Sequence, residues 1–275
     1  VVFEHILGTS TANVKWLRFL HGGAPRYGLL EGERIKVCRG DPFAGAEVSG
    51  EKTALADASL LPPCVPGKFF GLWNNFRALA AKLGEVIPDE PLYFLNATTS
   101  ILGDGGVNRA PRSYDGRVAY EGELGIVIGR RCAAADVATA AGCILGYTCV
   151  NDVTALDILN RDPSFAQWTR AKSFDTFGPF GPVIATGLDP QALTVRTRVN
   201  GRERQNYAVA DMIFTPAEIV SRLSHDMTLE PGDLIACGTS LGVLPMKPGS
   251  TVEVEIDGIG VLHNRFEPAT GEAGQ

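Results

Sequence analysis

Short apolar runs broken by glycine- and proline-bearing turns dominate this chain, and stretches of helical periodicity are few. Val14–Leu20 and Arg34–Cys38 are strand candidates separated by glycine-bearing turns. Lys68–Trp73 reads as a buried strand leading into a helix over Asn74–Gly84, capped by Asn and stopped by Gly. Ile144–Val150 is a further apolar strand, followed by the helical-looking Thr154–Leu159. Thr194–Val199 with Asn200-Gly201 predicts a hairpin whose type I′ turn uses both turn residues at positive φ. Thr215-Pro-Ala-Glu218 is a capping box with proline at the first helical position, predicting a helix to about Ser224. Pro231-Gly and Pro248-Gly mark turns between the last strands, and the tail from Glu267 reads as frayed. Many short strands with few helices predict a mostly β (α+β) fold rather than a doubly wound sheet. Pro62-Pro-Cys-Val-Pro-Gly67 punctuates the chain, dividing a small β-rich unit, 1–65, from a main domain, 66–275.

One strand candidate breaks the apolar pattern. Glu121-Gly-Glu123 lies inside Val118–Ile128, a segment that otherwise reads as interior. Side chains two apart share a face of a strand, so the two carboxylates point the same way and repel unless a proton or cation sits between them. A hard divalent cation is the natural candidate. Glu253-Val-Glu255 supplies a control with the same spacing. There Val252, Val254 and Ile256 fill one face and the acids fill the other, the alternation of a half-exposed strand ending in an Asp257-Gly258 turn. Around Glu121 the carboxylate face continues instead into Gly125 and Val127, so the acids are not on a solvated face.

Composition narrows the class. The 275 residues are 45% hydrophobic and 20% charged, as in a globular protein with a sizeable core. The net charge of −6 and the lack of any basic block argue against nucleic acid as a partner. No apolar run is long enough to span a membrane, and the opening Val1–Leu7 carries Glu4 rather than a basic leader. Six cysteines without a C-x-x-C pair read as buried thiols of a reducing cytoplasm.

Asp152 is the natural third ligand, since it follows a strand end where loop residues gather around sites. Lys172 follows in a turn-rich segment and is a candidate to bind a substrate carboxylate or assist proton transfer. Tyr120–Leu124, Gly146–Ala155, Lys172–Pro179, Val199–Gly201, Gln205, Asp211–Phe214 and Leu229–Thr239 together resemble the fumarylacetoacetate hydrolase family. The resemblance runs in order from about Lys68 to the C-terminal strands, and the N-terminal unit resembles the small domain of bacterial members. It implies a mixed β-roll catalytic domain in a homodimer, with Mg²⁺ or Mn²⁺ held by Glu121, Glu123 and Asp152. It implies small 2-oxo or 1,3-dicarbonyl acids as substrates, many from aromatic catabolism. Lys172, Thr239 and Asn75 match substrate-contact positions, and Lys172 is the catalytic candidate.

The chain departs from the family pattern at one end of the site. Hydrolytic members carry a His and a Glu, three residues apart on a helix, that activate water. Leu79 and Lys82 stand at those positions here, and leucine cannot accept a proton. Asn96 replaces a lysine, and Leu156 an arginine, that are common in the family. None of His5, His21, His225 and His263 restores the dyad. The first reading is therefore decarboxylation or isomerisation of a 2-oxo or 2-hydroxymuconate-type diacid through a metal-bound enolate. The alternatives are C–C hydrolysis of an acylpyruvate-like 1,3-diketone and a non-catalytic 2-oxo-acid binding protein. The segment from Asn74 to Gly103 is expected to form a mobile lid, with Arg77 and Lys82 available to a distal carboxylate.

Overall fold

In the computed structural model, which describes residues 13–269, the Glu121 segment becomes the strand Gly122–Ile128, buried along its whole length. Both faces are covered. Leu124, Ile126 and Ile128 enter one core with Phe70, Cys149 and Ile235, while Val127 enters a second with Phe69, Val150 and Leu234. Burial on both sides explains why this strand lacks the apolar–polar alternation of Thr251–Ile256. In the latter, Val252, Val254 and Ile256 are buried, and Glu255 pairs with Arg198 at 2.5 Å on the open face.

The fold is mostly β, with mixed sheets. In the larger sheet the strands run Glu47–Ala54, Arg34–Arg39, Ala24–Glu31, Lys15–His21, Gly178–Ala185, Ile144–Asn151, Gly122–Ile128, Leu234–Ala236, Phe69–Trp73 and Leu92–Asn96. The Gly122 strand is central and antiparallel to both neighbours, Ile144–Asn151 and Leu234–Ala236. A five-stranded sheet, Arg202–Ala208, Thr194–Val199, Thr251–Ile256, Gly260–Glu267 and Val107–Arg109, supplies the second layer. Lys15 pairs with Ala185, so the N-terminal strands extend the same sheet as the main domain. Among the described residues no helix is long and apolar enough to cross a membrane. All six cysteines are buried and unpaired.

Several local readings hold. Asn200 and Gly201 take φ of 51° and 72° at the hairpin turn. Thr215 and Glu218 form the reciprocal capping box of the helix Pro216–Asp226. Others need correction. The helix after Trp73 starts only at Arg77, with Phe76 at its N-cap, because the Asn74 amide donates to Val86 O instead of capping. Gly84 does end it, at φ 73°. Thr154-Ala155 is a two-residue strand, and only Leu156–Leu159 is helical. The expected lid is shortened, since Leu92–Asn96 pairs with Phe69–Trp73 residue for residue and belongs to the sheet. Glu267 closes a strand paired to Val107–Arg109, so fraying does not begin there; residues from 270 on lie outside the described part.

Asp233, fully buried, ties the turn at Pro231-Gly232 to the start of the Phe69 strand. It accepts from Lys68 N at 2.8 Å and Glu230 N at 2.7 Å, and it pairs with Lys68 Nζ at 2.7 Å. Removing it leaves two backbone N–H groups without an acceptor, and each such loss costs about 1–3 kcal/mol. Asp233→Ala is therefore expected to lower the unfolding free energy by roughly 3 kcal/mol, measured by urea titration. Lys68, which is partly exposed, can solvate its own charge.

Candidate metal centre

Three carboxylates converge where two antiparallel neighbours meet. Glu121 precedes the Gly122 strand, Glu123 lies within it, and Asp152 follows the end of Ile144–Asn151, whose Asn151 pairs with Gly122. The loop ends are bolted together by Asp152 N donating to Glu121 O at 2.9 Å and Glu121 N to Asn151 Oδ1 at 3.0 Å. Gly122 is required between the acids, because a Cβ there would lie 2.0 Å from Thr197 Oγ1. One carboxylate oxygen from each of the three acids lies within 4.8 Å of the others.

Lys172 closes the cluster. It ends the helix Trp168–Lys172, and its ammonium donates to Glu121 Oε2 and Asp152 Oδ2, both at 2.7 Å, and to Asp152 O at 3.0 Å. Its side chain is only 1% exposed. The Phe94 ring lies 5.6 Å from Nζ and stacks on Trp168, one turn back on the lysine's own helix. Phe94 reaches this position because Gly71 has no side chain; a Cβ at Gly71 would meet the ring at 2.5 Å.

The remaining carboxylate oxygens are held one by one. Thr154 Oγ1 donates to Glu121 Oε1 at 2.8 Å, Asn96 Nδ2 to Asp152 Oδ1 at 3.0 Å, and Gly238 N to Glu123 Oε2 at 2.7 Å. Glu123 Oε1 is buried with no partner. Three carboxylates against one ammonium leave two uncompensated negative charges, and an unpartnered hard oxygen sits among them. That donor set fits a hard divalent cation. Burial raises the Glu121 carboxyl above its ordinary value; it raises Glu123 far more, and the Asp152 charge adds to it. Burial alone would lower Lys172, but Asp152, Glu121 and Glu123 outweigh it and push the ammonium above the lysine range.

The other expected contact residues lie close by but are engaged. Thr239 Oγ1 donates to Gly122 O at 3.2 Å and accepts from Gln205 Nε2 at 2.8 Å, while Gln205 Oε1 accepts from Gly122 N at 3.0 Å. Asn75 spans two backbone groups, donating to Cys237 O at 2.8 Å and accepting from Phe214 N at 3.0 Å. Leu79 is half-buried against the core and Lys82 is exposed. The Arg77 guanidinium bonds Met212 O, so it anchors its helix. Among the described residues, His21, His225 and His263 are bonded to Glu51, Ser221 O and Asp104. His5 lies outside the described residues.

Residue-type reasoning alone overlooked Phe94, Thr154 and the Gly238 N–H. A signal existed for the last: Gly238 takes φ 90°, the conformation glycine favours, within Cys237-Gly-Thr239. Asn96 was legible only as a departure from a pattern, and nothing in its sequence neighbours predicted a bond to Asp152.

A carboxylate-rich, cation-ready centre on a mixed β fold defines the class of protein. The family model for the fumarylacetoacetate (FAA) hydrolase C-terminal domain matches residues 68–267, and the Rv2993c-like N-terminal model matches 14–63. The chain belongs to the fumarylacetoacetate hydrolase family. An uncharacterized protein of Archaeoglobus fulgidus is 44% identical over 236 residues, covering 83% of this chain and 93% of its own. The 2-hydroxyhepta-2,4-diene-1,7-dioate isomerase of Mycobacterium marinum is 37% identical with a TM-score of 0.86, covering 94% of this chain and 100% of its own. Fumarylpyruvate hydrolase from Pseudomonas aeruginosa, solved with Mn²⁺ and pyruvate, is 26% identical with a TM-score of 0.69, covering 75% and 91%.

The raised carboxyls set a pH dependence. Above their ordinary value of 4.5, the folded protein holds protons that the unfolded chain has already released. Stability of the cation-free protein therefore falls as pH rises from about 4.5 towards neutrality. Lys172 stays charged throughout that window and adds no slope. Thermal melts in chelator are expected to show this decline, Glu123→Gln to flatten it, and saturating Mg²⁺ to remove it.

Proposed function

We propose that this chain is a divalent-cation-dependent enzyme that decarboxylates or isomerises a small 2-oxo or 2-hydroxymuconate-type diacid. The observation that carries the reading is the pairing of a complete charged cluster with a helix that offers no base for water. Glu121, Glu123 and Asp152 would hold Mg²⁺ or Mn²⁺. Bound there, the cation would act as a Lewis acid towards the oxygens of a chelating 2-oxo acid. Lys172 holds a fixed positive charge at the same place, in a setting that excludes water and strengthens it. Its three N–H groups are all engaged, so a substrate oxygen must take over one of those bonds. The Thr239 hydroxyl, fixed by Gln205 and Gly122 O, presents its remaining lone pair to a substrate hydroxyl. Leu79 packs against the core where a water-activating group would stand, so chemistry that consumes no water fits these residues best. The isomerase of M. marinum supports this reading.

The P. aeruginosa hydrolase favours a second reading, cleavage of an acylpyruvate-like diketone. Its water would need a base from outside the Arg77–Leu83 helix.

Full-length protein loaded with Mg²⁺ or Mn²⁺ is to be assayed on oxaloacetate and on hydroxymuconate-type diacids. Release of CO₂ or a shift in the diene absorbance is expected, and chelator should abolish it. Lys172→Ala is expected to lower kcat by at least about 100-fold. Inertness towards both classes overturns the reading, and labelled water oxygen appearing in a carboxylic acid product establishes hydrolysis instead.

A further inference from the structure

Asn96 is the one neutral side chain that holds Asp152, and its two ends differ. Nδ2 donates to Asp152 Oδ1 at 3.0 Å, while Oδ1 is buried with no partner. The amide cannot be turned the other way, because an ionised carboxylate offers only acceptors. Asn96 is 4% exposed and ends the strand Leu92–Asn96, paired with Phe69, so the backbone fixes where it sits. Asp152 is thus gripped from opposite ends: Lys172 takes Oδ2 at 2.7 Å and Asn96 takes Oδ1.

The charge of the second grip matters as much as its geometry. Glu121, Glu123 and Asp152 face a single ammonium, that of Lys172. An amide orients Asp152 without cancelling any of its charge, which leaves the cluster two charges negative. We propose that Asn96 is a positioning residue that tunes the centre for a divalent cation: it fixes the Asp152 carboxylate while preserving the double negative charge. A cation at this position would leave the cluster one charge negative and suited to weaker cation binding. The inference rests on the reading that the three carboxylates hold a cation.

A cavity of about 490 Å³, lined by Asn96 with Ala97, Gln167, Trp168 and Ser173, gives a longer side chain room. This makes Asn96→Lys a fair test. Mn²⁺ alone is titrated calorimetrically into the full-length wild type, Asn96→Lys and Asn96→Leu, and cation-free melting temperatures are recorded for each. Asn96→Lys is expected to weaken Mn²⁺ binding by at least tenfold while raising the cation-free melting temperature, because the new charge relieves repulsion. Asn96→Leu keeps the net charge but drops the donor, so it is expected to weaken binding less and to lower the melting temperature. A purely structural role would move both variants the same way, with lower melting temperature and equal losses of affinity, and that result overturns the proposal. So does wild-type affinity in Asn96→Lys. If the wild type itself takes up no Mn²⁺, the cation reading of the centre fails together with this one; wild-type uptake with an unchanged Asn96→Lys defeats this inference alone.

Discussion

The constraint on which the rest of this structure depends is the burial of three carboxylates against one ammonium. Taking ions out of water costs several kcal/mol each, and mutual attraction offsets this only where the geometry is good and the remaining lone pairs are filled. The surrounding fold meets that demand group by group. Lys172 bridges Glu121 and Asp152, Thr154 and Asn96 fill one oxygen each, and the Gly238 N–H takes one from Glu123. The single oxygen left over, Glu123 Oε1, is where the network stops short of closing on itself. A protein that evolved only for stability has little reason to keep such a residue. One that must admit a cation does.

Glycine is the means by which the sheet tolerates this density. Gly122 lets Thr197 and Gln205 approach the strand between the acids, and Gly71 lets the Phe94 ring lie over the floor of the cluster. Phe94 in turn stacks on Trp168, which shares a helix with Lys172. Aromatic packing and the lysine's reach are therefore one feature. The Trp168–Lys172 helix has five residues and could not hold a buried charge by its own hydrogen bonds. Its position comes from the rings stacked against it.

Much of this was legible in the sequence, and for a physical reason. A strand signals its burial through the identity of its own residues, so Glu121-Gly-Glu123 stood out against Val118–Ile128 while Glu253-Val-Glu255 did not. The hairpin at Asn200-Gly201 and the capping box at Thr215 are local chemistry and were equally readable. Long-range partners were not. Asn74 looks like a helix cap because an Asn before an apolar run usually is one, yet a loop carbonyl twelve residues on claims its amide. Segment 92–96 looked like part of a lid because nothing local shows that it would pair with 69–73. The bond from Asn96 to Asp152 joins residues 56 apart, and no window of sequence contains both.

The centre therefore divides into halves of different mechanical character. The charged half is built on central strands, where every neighbour is fixed by ladder hydrogen bonds and two cores. The facing half is a seven-residue helix, Arg77–Leu83, tied to the 211–214 segment by Arg77 and Asn75 and contributing Ala80 as its one buried residue. Side chains on such a helix can change with little cost to the fold, since most of them are exposed. The sheet residues cannot, because each holds a buried charge or fills a gap of atomic size. Changes of reaction within one architecture are then expected to fall on the helix while the carboxylates and Lys172 stay put. Leu79 fits that division: it removes a proton acceptor from the mobile half, adds an apolar contact to the core, and leaves the charged half untouched.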